Sequence, residues 1–215
     1  MIDLARFGNI PIDYATLVSV LDGYRFPKNK IASLEKKQQL IRLKKGLFVV
    51  APQVSKSELS RELIANHLYG PSYVSLESAL SYYGLIPERV YSIRSVTVKR
   101  AKQYTTPLGE FDYRTVPSTY FSIGIQQEPT DSKSIFLIAS PEKALCDMIV
   151  LTSGLRLQSV KAVKTYLEEN LRIDLSEIPI TIGRTWNTEI IRECIETGKK
   201  KTELLQLLKL LENDD

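Results

Sequence analysis

The chain has 215 residues, 43% of them hydrophobic and 25% charged, an ordinary globular profile that fits one large domain or two small ones. No apolar run approaches the roughly 18 residues of a membrane helix. The N-terminal MIDLARFGNIPID lacks the basic-then-apolar order of a secretion signal, so a cytoplasmic protein is expected. The net charge of +4 is unevenly spread: residues 1–56 hold 10 Lys and Arg against 4 Asp and Glu, and residues 57–215 hold 19 against 21. Such asymmetry points to a polyanionic partner for the N-terminal part.

In chain order, DYATLVSVLDGY reads as a short helix. Asp13 can cap it, Leu17, Val18 and Leu21 form its apolar stripe, and Gly23 can end it. RFPKNKIASLEKKQQL reads as a second helix with Pro27 in its first turn, where the missing N–H costs nothing. On its wheel Ile31, Leu34 and Gln38 share one side. Asn29, Ser33 and Lys36 lie opposite, flanked by Lys30 and Lys37. LIRLKKGLFVV follows as a hairpin that turns at Lys45-Gly46. Strand alternation sends Leu40, Arg42 and Lys44 to one side and Ile41 and Leu43 to the other. Ile41, Leu43 and Phe48 are the expected floor of a small core. Helix, tight turn, basic helix and basic-tipped hairpin follow in the order of a winged helix-turn-helix.

PQVSKSE reads as a junction, dividing the chain into residues 1–54 and 55–215. Ser55 and Glu58 have capping-box spacing for a helix reaching Tyr69 and ended by Gly70-Pro71. YVSLESALSYYG predicts a short strand, then a helix capped by Ser75 and closed by Gly84. From Tyr91 to Ala139 the pattern is strand-like, punctuated by Pro and Gly. SPEKALCDMIVLT predicts a helix capped by Ser140 with Pro141 at its first position, and further helices are expected near 156–170, 187–197 and 201–212. The expected fold class is therefore α+β: an N-terminal winged helix-turn-helix followed by a mixed α+β domain with C-terminal helices.

Within residues 25–45, Arg25, Lys28, Lys30, Lys36, Lys37, Arg42, Lys44 and Lys45 stand against Glu35 alone. A helix fits the major groove, and cations beside it neutralise phosphates. Asn29, Lys30 and Ser33 are the candidates for base edges. Arg42, Lys44 and Lys45 are the candidates for phosphate or the minor groove. A second basic run, Arg89, Arg94, Lys99, Arg100 and Lys102, has no acidic residue from 89 to 109. It would extend a DNA surface, meet another anionic partner, or protect a strand edge. The lysines of GKKK, 198–201, read as a solvated helix terminus.

Signals for an enzyme are few. His67 is the only histidine, and no Gly-rich phosphate loop, HExxH or CxxC occurs. Glu110 and Asp112 alternate on one strand side, too few carboxylates for a metal nuclease. Cys146 and Cys194 are far apart in sequence and read as reduced, buried or half-buried thiols. The leucines of TELLQLLKLLEND cover more than half of a terminal helix, which reads as docking into the protein's own core or, alternatively, as a partner contact. No cofactor or metal is expected.

PKNKIASLEKKQQLIRLKKGLFVV, followed by PSYVSLESALSYYGLIPE, VTVKR, TTPLGEFDYRTVP and ASPEKALCDMI, resembles the AbiEi family of type IV antitoxins and transcriptional regulators, from about Tyr14 to Ile149. YVSLESALSYYGLIPE and SPEKALCD are its most distinctive segments. The resemblance implies a winged helix-turn-helix that binds inverted repeats upstream of its own operon and represses it. It implies an antitoxin domain that opposes a nucleotidyltransferase-like toxin without a stable complex. DNA contact carries over to Lys28, Asn29, Lys30, Ser33, Lys36 and Lys37 in the helix and to Arg42, Lys44 and Lys45 in the wing. The basic surface around Arg94, Lys99, Arg100 and Lys102 is the candidate for antitoxin activity. Two copies are expected on the DNA from a monomer in solution or a weak dimer. One departure is that 13 residues precede the first clear helix, short of a complete additional one. The rival readings are a metal-dependent nuclease in the second domain and a protein that sequesters a toxin directly.

Overall fold

The computed structural model describes residues 3–88, 90–130, 134–175 and 185–212. It is a mixed α+β fold with a three-stranded and a six-stranded sheet. A 3-10 turn at Ala5–Phe7 opens it. Strand β1 (Ile12–Asp13) leads into helix α1 (Tyr14–Val20), where Asp13 accepts the Thr16 N–H as cap. Helix α2 (Pro27–Lys36) begins at the expected proline. It stops short of Gln38, which is exposed and left-handed (φ 54°) instead of extending the inward stripe.

The hairpin β2 (Leu40–Lys44) and β3 (Leu47–Val50) pairs with β1 in the order β1-β3-β2. Leu17 and Leu21 of the α1 segment, Ile31 and Leu34 of α2, and Leu40, Phe48 and Val50 of the hairpin close a small apolar core. Each such fully buried side chain contributes about 1.5–3 kcal/mol. The expected floor of that core is only partly right. Phe48 belongs to it, but Leu43, Leu47 and Val49, with Ile41 against them, face the larger core. The hairpin is thus a wall shared by two apolar clusters, and its second face is not solvated.

The chain continues through the short helix α3 (Pro52–Ser55) to α4 (Arg61–Leu68). The expected cap is wrong by five residues. Lys56 turns left-handed, Ser55 stays in α3, and the Ser60 hydroxyl accepts the Leu63 N–H at 3.0 Å. Ser60→Ala should therefore lower stability by about 1 kcal/mol in urea unfolding. An equal loss from Glu58→Ala, the other half of the expected box, would contradict this start.

The remaining strands are β4 (Ser72–Val74), β5 (Ser92–Thr97), β6 (Lys102–Thr106), β7 (Gly109–Thr115), β8 (Ile125–Pro129) and β9 (Ile135–Ala139). They form a sheet in the order β6-β7-β5-β4-β9-β8, with β5/β7 and β4/β9 parallel and the other pairs antiparallel. Between them lie α5 (Leu76–Tyr82) and the short α6 (Ser118–Phe121). On β7 the Tyr113 hydroxyl donates to Ala65 O of α4. Asp112, one residue away and so on the other face, pairs with Arg94, which reaches Glu77 of α5. Helices α4 and α5 therefore cover opposite faces.

Helix α7 (Pro141–Leu151) is capped by Ser140 as expected, and every side chain from Pro141 to Ile149 is buried. Helix α8 (Val160–Thr165) runs into a π turn at Tyr166–Asn170, and α9 (Thr188–Thr197) and α10 (Lys201–Glu212) complete the chain. Five of the six α10 leucines are buried, leaving Leu205 exposed, so this stripe is core. Lys200 is not solvated: its ammonium donates to Ile149 O, Thr152 O and Leu155 O, tying α10 to the end of α7. Among the described residues no helix is long and apolar enough to cross a membrane.

Candidate nucleic-acid interface

Helix α2 turns Ile31 and Leu34 inward, which leaves Lys28, Asn29, Lys36 and Lys37 exposed and Lys30 and Ser33 half-buried. No ion pair among the described residues engages Lys28, Lys36, Lys37 or the hairpin-tip Lys45. Tyr24, Arg25 and Phe26 lie in the turn before α2, with Arg25 over the Phe26 ring and Lys30 over the Tyr24 ring. Both rings are exposed, an interleaving of aromatics and cations that the charge pattern alone did not single out.

Between α2 and the hairpin tip lies a cleft of about 550 Å³. The buried Ile31 and Phe48 line it together with the more exposed Tyr14, Lys28, Ala32, Lys45 and Gly46. Arg42 closes one end. Its guanidinium donates to both Glu35 carboxylate oxygens (2.7 and 2.6 Å) and lies 5.0 Å from the Phe48 ring centre. The Glu35 carboxylate raises its pKa. Arg42 thus braces the hairpin against α2, a role that the alternation of β2 did not reveal. Half of the side chain (51%) is still exposed, so one edge is open to a ligand.

Lys44 does not share the Arg42 face. The pairing slips between Arg42 and Lys44, so that Arg42 opposes Phe48 and Lys44 opposes Leu47, which faces the large core. The Lys44 ammonium donates to Leu68 O at the end of α4 and lies 5.7 Å from the Tyr104 ring centre. Burial, then the charges of Lys102 and Lys99, lower its pKa. The expected alternation fails here because a bulge resets the side-chain period.

The second basic run also divides. Arg94 on β5 donates to both oxygens of Glu77 and lies 3.8 Å from Asp112, so carboxylates compensate its charge. Lys99 and Lys102 lie instead over Tyr69 and Tyr104, beside Lys44, and Arg100 is exposed. Arg94 therefore separates from the other members of the expected anionic surface. Arg89 lies outside the described residues. Asp112 is held by Arg114 at 2.8 Å as well as by Arg94, while Glu110 is exposed. No group of three metal-ligating side chains occurs among the described residues. His67 is exposed on α4.

A fully buried polar network was missed by the sequence reading. Lys143 donates to Asp147 (2.8 Å) and to Tyr120 O (3.3 Å), and its ammonium lies 3.2 Å from the centre of the Tyr120 ring. The other Asp147 oxygen accepts from Tyr73 (3.0 Å) and from Ser75 (2.6 Å). Ser75 stands at the start of α5 as expected, but its hydroxyl serves Asp147 instead of capping. A Lys–Asp pair four apart in a largely apolar helix was the available signal, since such a pair is neutral as a unit and can be buried. Cys146 and Cys194 are free and buried, and they are neighbours in space: the interaction of the two thiols raises the Cys146 pKa and lowers that of Cys194. Both thiols should resist an aromatic disulfide reagent in the native protein and react on unfolding in urea. Rapid native labelling would contradict their burial.

Compared with protein-family models and with curated proteins, the chain has no match. Among solved structures it is similar to the RV2827C protein from Mycobacterium tuberculosis, with 14% identity and a TM-score of 0.50 over 97% of this chain and 78% of that one. At this identity the likeness concerns the fold alone, and it agrees with a mixed α+β architecture.

Proposed function

We propose that the chain is a DNA-binding transcriptional regulator of the AbiEi type, with residues 1–54 acting as a winged helix-turn-helix and residues 55–215 as its antitoxin domain. The observation that carries this reading is the group of exposed lysines with no ion-pair partner among the described residues, Lys28, Lys36, Lys37 and Lys45, on α2, its end and the hairpin tip braced against it. The strand order β1-β3-β2, with α1 and α2 inserted between β1 and β2, supports the winged arrangement. In this reading α2 enters the major groove. Asn29 and Ser33 face base edges, and Lys28, Lys36 and Lys37 meet the flanking phosphates. Lys45 holds the backbone across the cleft, and Arg42 keeps helix and hairpin at a fixed separation. Such phosphate contacts position the protein, and the few side chains at base edges specify the site.

The protein would act in the cytoplasm without a cofactor and without catalysis. Two copies on inverted repeats would repress its own operon. The second domain would counter a nucleotidyltransferase-like toxin without a lasting complex. Pairing of Asp112 with Arg94 and Arg114 speaks against a metal nuclease at that strand. Fluorescence anisotropy with the duplex upstream of the gene tests the reading. A preference of about 10³-fold or more over a scrambled duplex is expected. Equal affinity for the two duplexes would remove it. Rescue of growth on co-expression with the neighbouring toxin tests the antitoxin half.

A further inference from the structure

The cleft between α2 and the hairpin has the make-up of a small-molecule site. Its volume of about 550 Å³ lies within the range of pockets that hold such ligands, roughly 300–1,000 Å³. It is held open from two sides. The Glu35–Arg42 pair ties β2 to the end of α2, and the Tyr14 N–H donates to Gly46 O at 2.9 Å, tying the hairpin turn to the start of α1. Ile31 (2% exposed) and Phe48 (1%) are anchored in the small core, so this lining does not collapse into the gap. A pocket formed before binding spares a ligand the cost of ordering it.

The charge of the lining has one sign. Lys28, Arg42 and Lys45 come from α2, β2 and the hairpin turn, and among the described residues no carboxylate lines the cleft. Glu35 offsets Arg42 from outside the lining, while Lys28 and Lys45 have no ion-pair partner among the described residues. Arg42 keeps a free edge. Its Nε and Nη2 donate to Glu35, and Nη1 donates to no group among the described residues. A guanidinium carries five N–H donors, so the edge formed by Nη1 and Nη2 can still grip a second carboxylate through two parallel bonds. Beside these cations lie Ile31, Ala32 and the rings of Phe48 and Tyr14.

Such a lining matches an anion with a flat apolar body. We infer that the cleft binds a small aromatic carboxylate and that the bound ligand displaces DNA. The carboxylate meets the open edge of Arg42 and the ammonium of Lys28 or Lys45, and the ring system rests against Ile31 and Phe48. This rests on the DNA-binding reading above and names the signal that would relieve repression. An anion in the cleft neutralises lysines that the phosphates need, and its rings occupy the space between α2 and the hairpin. Ligand and duplex therefore lower each other's affinity by the same factor.

The probe is 2-naphthoate, titrated into the isotope-labelled full chain without DNA and followed by amide chemical shifts in NMR. Saturable shifts at Ile31, Ala32, Gly46 and Phe48 are expected, with a Kd of about 1 mM or below for a ligand of this size. Acetate, which lacks the rings, and 2-naphthalenemethanol, which lacks the charge, should each bind about tenfold or more weakly. Ala32 is exposed on α2, so Ala32→Phe fills the cleft without entering the core and should abolish the shifts. The absence of saturable shifts up to about 10 mM overturns the site. So do equal affinity for acetate, equal affinity for the alcohol, and retained binding by a folded Ala32→Phe variant, which would put the probe elsewhere. In fluorescence anisotropy, saturating 2-naphthoate should weaken binding to the upstream duplex by about fivefold or more. Unchanged duplex affinity at saturating probe overturns the displacement. No preference of the wild-type chain for the upstream duplex removes the DNA-binding reading and the displacement with it, while the amide shifts alone decide the cleft.

Discussion

Replacing Lys143 by methionine is expected to cost about 3–5 kcal/mol of stability, because it leaves a buried charge without its partner. Lys143 and Asp147 are both fully buried, and the carboxylate would keep only the hydroxyls of Tyr73 and Ser75. Domains of this kind are stable by about 5–15 kcal/mol, so the loss is a large fraction of the total. Urea unfolding measures it directly as a lowered midpoint. The double variant Lys143→Met/Asp147→Leu should recover only part of the loss. It removes both charges but strands the Tyr73 and Ser75 hydroxyls, at about 1–3 kcal/mol for each unsatisfied group. A single-variant loss under about 1 kcal/mol would contradict the buried pair as a keystone of α7.

Reversing Lys28, Lys36, Lys37 and Lys45 to glutamate has the opposite profile. All four side chains are exposed and have no ion-pair partner among the described residues, so folding should be almost unaffected. Affinity for the upstream duplex should fall by about 10³-fold or more, since like charges facing phosphates cost several kcal/mol. Lys44 is deliberately excluded. It bonds to Leu68 O and packs on Tyr104, and its loss would mix folding with binding. A variant that unfolds at the wild-type urea midpoint and binds with wild-type affinity would remove α2 from the interface.

The regular elements were legible where local chemistry decides them. Asp13 and Ser140 cap as their positions suggest, Pro27 and Pro141 open their helices, and five strands occur between residues 91 and 139. What was not legible depends on packing between distant segments. Nothing local distinguishes Ser55 from Ser60 as the start of α4. The slip in β2 that turns Lys44 away from Arg42 is invisible to strict alternation. Both faces of the hairpin are covered, so its apolar residues divide between two cores where a one-sided reading gives them to one.

Charge followed the same division. Lys28 and Lys36 of α2 were read correctly as exposed because the inward face of that helix is plain from Ile31 and Leu34, whereas Lys30 is half-buried over the Tyr24 ring. Arg42 and Arg94 looked free in sequence, yet Glu35 and Glu77 meet them across folded contacts. The buried network needed Tyr73 and Ser75 from β4 and the start of α5 to meet Asp147 of α7, a pairing across more than 70 residues.

The face formed by α2 and the hairpin tip is tested most directly by lysine acetylation of the full chain with and without the upstream duplex, read by mass spectrometry. Protection of Lys28, Lys36, Lys37 and Lys45 by the DNA is the expected result. The exposed Lys161 and Lys209 should stay as reactive as in the free protein. Unchanged reactivity of the first four, with protection at Lys161 or Lys209, would contradict the assignment of this face to DNA.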